Sequence, residues 1–145
     1  MYLIQKVIST LKTSSLLLSV MILLNVPTAM AKSASGSALI EAIHQVETSG
    51  RFGPILGDGG DALGPLQIHR AYHQDSGVAG PYSRCADFNY SVQVFKAYMA
   101  RYATVKRLGR KPTSEDIARI HNGGPNGYKR KSTLAYWAKV KKELK

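Results

Sequence analysis

Residues 37–68 read SALIEAIHQVETSGRFGPILGDGGDALGPLQI, and the change of character at Gly50 decides the architecture. Before it, Leu39, Ile40, Ile43 and Val46 recur at three- and four-residue spacing. This is the pattern of a helix over about Ser37–Thr48, which Gly50 can close in a left-handed cap. After it, Arg51–Gly64 is dominated by Gly, Pro and Asp without a helical period, so the chain forms turns or a short irregular hairpin. Leu66 and Ile68 then face one way at period two, as a strand or as an extended entry to a short helix near His69–Gln74.

Further along, the pattern is helical. A loop at Gly77–Tyr82 leads to the longest apolar periodicity, carried by Phe88, Val92, Phe95, Tyr98, Met99 and Tyr102, which predicts a central helix. Lys106, Arg107, Arg110 and Lys111 make a basic turn before Pro112. Thr113 or Ser114 then caps a helix with Glu115 and Asp116 in its first turn, Ile117 and Ile120 inward, and Gly123-Gly124-Pro125 as its stop. Ser132 can cap a last helix whose Leu134, Trp137, Val140 and Leu144 point inward. The fold class is therefore mainly α, as an α+β domain of four to five helices with one short irregular β-hairpin insertion after the first helix.

The N-terminal residues carry an address. Lys6 and Lys12 precede an apolar run from Ser15 to Val26, and Ala29-Met30-Ala31 puts small residues at the −3 and −1 positions of a cleavage site. Residues 1–31 thus read as a secretory signal cut after Ala31, residues 32–37 as a flexible mature N-terminus, and residues 38–145 as the folded domain. The apolar run is roughly a dozen residues, short of the ~20 a bilayer span requires. The product is expected to be secreted or periplasmic, without stable membrane insertion after cleavage. The formal net charge of +11 loses only two lysines with the leader. An exported cationic domain suits an anionic wall polymer or lipid surface rather than nucleic acid. Cys85 is the single cysteine, which excludes an intrachain disulfide and a cysteine metal site.

Glu47 follows Ile43 by four residues and Ile40 by seven, so its carboxylate lies on the apolar face near the helix C-terminus. Burial and the negative end of the helix dipole both favour the uncharged carboxyl there, which suits a general acid. The glycine-rich turn that follows offers Asp58 and Asp61 as a second carboxylate. Glycosidic cleavage uses such a pair, at about 5–5.5 Å for retention and about 6.5–9.5 Å for inversion. Gln67, His121, Asn122 and Gly123 are candidates for substrate contact, the glycines because backbone can approach a sugar closely. Tyr72 and Tyr82 are candidates to stack on sugar faces.

Three strings occur in order: Val46-Glu47-Thr48-Ser49-Gly50, Gly64-Pro65-Leu66-Gln67-Ile68 and Arg119-Ile120-His121-Asn122-Gly123-Gly124-Pro125-Asn126-Gly127. On these the sequence resembles the invertebrate-type (destabilase) lysozymes, from about Leu39 to Tyr128, as a bacterial-style member without the animal disulfides. The resemblance implies a muramidase that needs no cofactor and hydrolyses the β-1,4 bond between N-acetylmuramic acid and N-acetylglucosamine in peptidoglycan, with Glu47 as general acid. The second carboxylate falls most nearly on Asp58, with Asp61 as fallback. The resemblance also implies a monomer, a proteinaceous lysozyme inhibitor as partner, and for His121 a link to the isopeptidase activity of some members, with Ser49 the nearest serine. Two other readings are a lytic transglycosylase and a non-catalytic cationic wall- or membrane-binding protein.

Overall fold

The computed structural model describes residues 28–144, with side chains from residue 36 onward. The basic and apolar segments of the expected leader, Lys6 to Val26, lie outside the described residues. The compact unit that carries the chemistry begins at Ala34. Among the described residues there are six α-helices and a three-stranded antiparallel sheet.

Helix α1 spans Thr28–Thr48, starting well before the expected Ser37. Residues 32–37, read from the sequence as a flexible mature N-terminus, fall within the span of this helix. Leu39, Ile40, Ala42 and Ile43 are buried. The chain turns out of α1 through two left-handed residues, Ser49 and Gly50. Buried Thr48 fixes that exit, its hydroxyl lying within hydrogen-bonding distance of the carbonyls of His44, Arg51 and Pro65. His44 adds a bond from Nε2 to the Arg51 carbonyl at 2.9 Å.

The glycine-rich segment is more regular than expected. Strand β1 (Leu56–Gly57) pairs antiparallel with β2 (Ala62–Leu63), which pairs with β3 (Ile68–His69). A 3-10 turn at Asp58–Gly60 joins the first two strands. The connection from β2 to β3 passes through Gly64, at φ +82°, where a Cβ would collide with the Cys85 carbonyl. Leu66 and Ile68 are fully buried, as their period-two spacing predicts.

Helix α2 (Arg70–Ser76) buries Tyr72 and His73. Helix α3 (Phe88–Tyr102) is capped by Asp87, whose carboxylate accepts from the Tyr90 amide, and buries Tyr90, Val94, Phe95, Tyr98 and Met99. The buried stripe is thus rotated from the expected one. Phe88, Val92 and Tyr102 only flank the core, while Tyr90 and Val94, which lie off the expected stripe, are buried in it. The basic run expected to be a turn contains a one-turn helix, α4 (Val105–Leu108), ended by left-handed Gly109. Cys85 is buried, and burial pushes its thiol up to about 11, which leaves it unreactive at neutral pH.

Of the two caps the sequence offers for helix α5 (Ser114–Gly123), Thr113 is the one formed, and it exchanges hydrogen bonds with Asp116 as a capping box. Arg110 adds two bonds to the Asp116 carboxylate, at 2.6 and 2.9 Å. Helix α6 (Leu134–Glu143) buries Val140. Its N-cap is Thr133 rather than Ser132, and Leu134 is exposed, because the Thr133 hydroxyl is drawn inward to Arg119 and to the carbonyls of Gly127 and Arg130.

Burial raises the Asp116 carboxyl, but the bonds from Arg110 and Thr113 outweigh it and hold the group below the usual carboxylate range. Such a group stabilises the fold above its unfolded pKa, and this contribution is lost as pH falls through the lower folded value. Asp116→Asn should therefore melt earlier than the wild type at neutral pH and lose less of its stability on acidification, as thermal melts from neutral pH down to about pH 2 would record. Parallel wild-type and variant curves would contradict the assignment.

Candidate active site

Glu47 sits in the last turn of α1, with its side chain 18% exposed. One oxygen, Oε1, collects two neighbours. The Tyr136 hydroxyl on α6 donates to it at 2.6 Å, and His121 Nε2 on α5 lies 3.4 Å away. Among the described residues nothing bonds Oε2. The other ring nitrogen of His121, Nδ1, is 3.4 Å from the Tyr72 hydroxyl. Tyr72 is stacked on Tyr98 with ring centroids 3.6 Å apart, and Phe95 meets the His121 ring edge to face. Four helices, α1, α2, α5 and α6, thus converge on one carboxylate through Tyr72, His121 and Tyr136.

Both phenols stay protonated through the neutral range. Burial, and then the neighbouring Tyr98 and Glu47, hold Tyr72 well above the ordinary tyrosine value. Burial, and then Glu47 through its charge and its hydrogen bond, do the same for Tyr136. Each disfavours a second negative charge beside Glu47.

The sheet holds the aspartates. Asp58 has φ +48° in the β1–β2 turn, and its exposed carboxylate is 2.9 Å from His69 Nε2 on β3. Asp61 closes that turn through its amide to the Asp58 carbonyl. The Tyr82 hydroxyl lies between the carbonyls of Ile68 and Asp61, at 2.6 and 3.1 Å. Ser49, Asp58 and Gln67 are the non-glycine residues at positive φ among those described, and all three belong to the helix exit and the sheet. Strain of this kind concentrates at functional sites.

Of the residues singled out from the sequence, Glu47, Tyr72 and His121 are brought together around one carboxylate. Tyr72 is buried with one face on Tyr98, and its hydroxyl faces His121. Tyr82 is likewise engaged, with the Arg70 guanidinium over its ring. Gln67 spends its amide hydrogens on the carbonyls of Ile55 and Gly64 and braces the hairpin, its side chain filling the place where a Cβ of Gly57 would stand. Asn122 is exposed. Gly123 lies against Thr133, where a Cβ would meet the methyl group. With Glu47 and Tyr72 on its two nitrogens, His121 makes no hydrogen bond to Ser49 among the described residues. Tyr136 and His69 escape the sequence reading. Tyr136 lies 89 residues from Glu47, beside the bulkier Trp137, and no local spacing connects the two.

The family model described as Destabilase matches residues 38–143. The chain belongs to the destabilase family. Its curated relatives include Lysozyme 1 of Crassostrea virginica, 43% identical over 82 residues, and a lysozyme of Ostrea edulis, 38% identical over 84 residues. These alignments cover 55% and 57% of this chain but only 44% and 60% of those proteins, so the destabilase chain spans about half the length of the relatives it matches. Among solved structures, Meretrix lusoria lysozyme in complex with Aeromonas hydrophila PliI superposes with a TM-score of 0.64 at 34% identity, over 72% of this chain and 87% of that one. Tapes japonica lysozyme superposes with a TM-score of 0.63 at 32% identity, over the same shares. The chain thus shares the fold of these lysozymes.

Proposed function

We propose that this destabilase-family protein is an exported lysozyme that hydrolyses the β-1,4 bond between N-acetylmuramic acid and N-acetylglucosamine in peptidoglycan. The observation that carries the proposal is a half-enclosed carboxylate, Glu47, whose Oε1 is held by Tyr136 and flanked by His121 while Oε2 is left for substrate. Glu47 gives its proton to the leaving oxygen, and Asp58 forms or stabilises the glycosyl intermediate. Water then attacks with Glu47 acting as base, which retains the anomeric configuration. The residues supply acid, base and nucleophile themselves, so no cofactor enters this scheme.

Asp58 is preferred to Asp61 because its carboxylate is oriented by His69 at a strained turn position, whereas Asp61 is held in its turn through backbone atoms. The leader of residues 1–31 would send the enzyme to the periplasm or the medium, where its positive surface holds the anionic wall and equips it for an antimicrobial role. Among the described residues no helix is long and apolar enough to cross a membrane. The Meretrix lusoria enzyme crystallised with PliI supports a proteinaceous inhibitor as a partner of this chain too. We take the working unit to be a monomer, with peptidoglycan rather than nucleic acid as its polymer.

Clearing of a purified peptidoglycan suspension tests the carboxylate pair. Asp58→Asn should lose about 10²–10³-fold in rate, the scale of removing one charge-stabilising group from a transition state. Asp61→Asn should clear at near the wild-type rate. Full activity in Asp58→Asn, with loss in Asp61→Asn, would transfer the role to Asp61.

A further inference from the structure

We propose that Tyr136 is a positioning residue for proton transfer, its hydroxyl committing Oε1 of Glu47 to the protein so that the transferable proton is carried on Oε2. The proposal rests on the reading of Glu47 as the general acid.

A carboxyl group has two oxygens and a freely turning plane, and a general acid works only when the protonated oxygen faces the leaving group. Oε1 is taken up by the Tyr136 hydroxyl at 2.6 Å, a short bond of the charge-assisted kind, with His121 Nε2 at 3.4 Å on the same atom. Oε2 has no bonding partner among the described residues, so a proton there faces outward, while a proton on Oε1 would displace the Tyr136 hydrogen from its acceptor. The donor is itself fixed. The Tyr136 ring is packed against the core and has its centroid 6.4 Å from that of His121. The titratable groups facing the Tyr136–Glu47 pair are His121 and Tyr72. In the tautomer that carries its hydrogen on Nε2, His121 accepts from the Tyr72 hydroxyl at Nδ1 and points Nε2–H towards Glu47, and Tyr136 is the donor in direct hydrogen bond to the acid. Burial and the adjacent carboxylate both oppose ionisation of the phenol, which keeps its proton through the neutral range.

Two consequences separate positioning from packing. A donor on the carboxylate favours its charged form, so removing it lets the acid stay protonated to higher pH. In Tyr136→Phe the alkaline limb of the kcat/KM profile on peptidoglycan should therefore move up by about one pH unit, and kcat should fall about tenfold or more while KM changes less than about twofold. Incorporation of 3-fluorotyrosine at 136 gives the opposite sign without loss of the hydroxyl. A more acidic phenol donates more strongly, so the alkaline limb should move to lower pH at an unchanged melting temperature. An unshifted limb in both proteins, or a Tyr136→Phe loss that tracks melting temperature alone, would overturn the positioning role. If Glu47→Gln is inactive while Tyr136→Phe matches the wild type, this inference fails and the assignment of the acid stands. If Glu47→Gln remains active, both fail.

Discussion

Glu47→Gln should remove between about 10² and 10⁴ of the rate on purified peptidoglycan, the range that a positioned general acid contributes. The change is close to isosteric, and the carboxamide oxygen can still accept the Tyr136 hydroxyl that now bonds Oε1. What disappears is the proton on the other oxygen and the ability to take it back from water. The melting temperature should stay near that of the wild type, because the group is only part-buried and its strongest partner is retained. Activity should be followed as new reducing ends per mole of folded protein, so that a folding defect cannot pass for a chemical one. A variant that keeps a tenth or more of the wild-type rate would exclude Glu47 as the acid.

The second large effect concerns the frame. Gly64 and Gly59 both have positive φ, +82° and +68°, but only Gly64 faces a wall: its Cβ would strike the Cys85 carbonyl, whereas that of Gly59 meets nothing within 4 Å. Gly64→Ala should cost on the order of 3 kcal/mol, the sum of a left-handed alanine and an overpacked contact. Gly59→Ala pays the backbone part alone, about 1 kcal/mol. For a domain of this size the first should lower the melting temperature by more than about 10 °C and the second by only about 5 °C. Because Gly64 leads from β2 toward β3 and Gln67 bonds its carbonyl, the Gly64 variant should also lose activity below its melting point. Equal melting temperatures for the two variants would show that the contact with Cys85 does not limit the fold.

Much of this architecture is written locally in the chain. The spacing of Ile40, Ile43 and Glu47 is a property of one helix, and the capping box of Thr113 and Asp116 is complete within four residues, so both are local and both are present. The sheet was only half readable. Its strands are two residues long, too short for alternation to be distinguished from turn, and the pairing of β2 with β3 is set by hydrogen bonds around Gly64 and Gln67. In α3 the apolar residues allow more than one helical stripe, and packing against the neighbouring elements selects the one that buries Tyr90 and Val94 rather than Phe88 and Val92.

The site divides in the same way. Glu47 and His121 announce themselves by motif. Tyr136 does not, because a hydrogen bond spanning 89 residues depends on how α6 crosses α1. His69 was visible only as a strand-to-helix junction, and its proximity to Asp58 follows from β3 lying beside the β1–β2 turn in the sheet. Tyr72 and Gln67 show the converse. Their residue types suit sugar binding, and the sequence does not show the contacts each makes within the protein, Tyr72 against Tyr98 and Gln67 to the carbonyls of Ile55 and Gly64. An isolated aromatic or amide in a sequence does not declare which way it faces.

The most direct measurement is mass spectrometry of the soluble fragments released from purified peptidoglycan by the wild-type protein. Hydrolysis by Glu47 and Asp58 predicts fragments ending in reducing N-acetylmuramic acid, with one water added for each bond cut. Fragments ending in 1,6-anhydro-N-acetylmuramic acid would identify a transglycosylase, and an intact polymer that merely retains the protein would identify a wall-binding domain. Either of these results would contradict the proposed hydrolase.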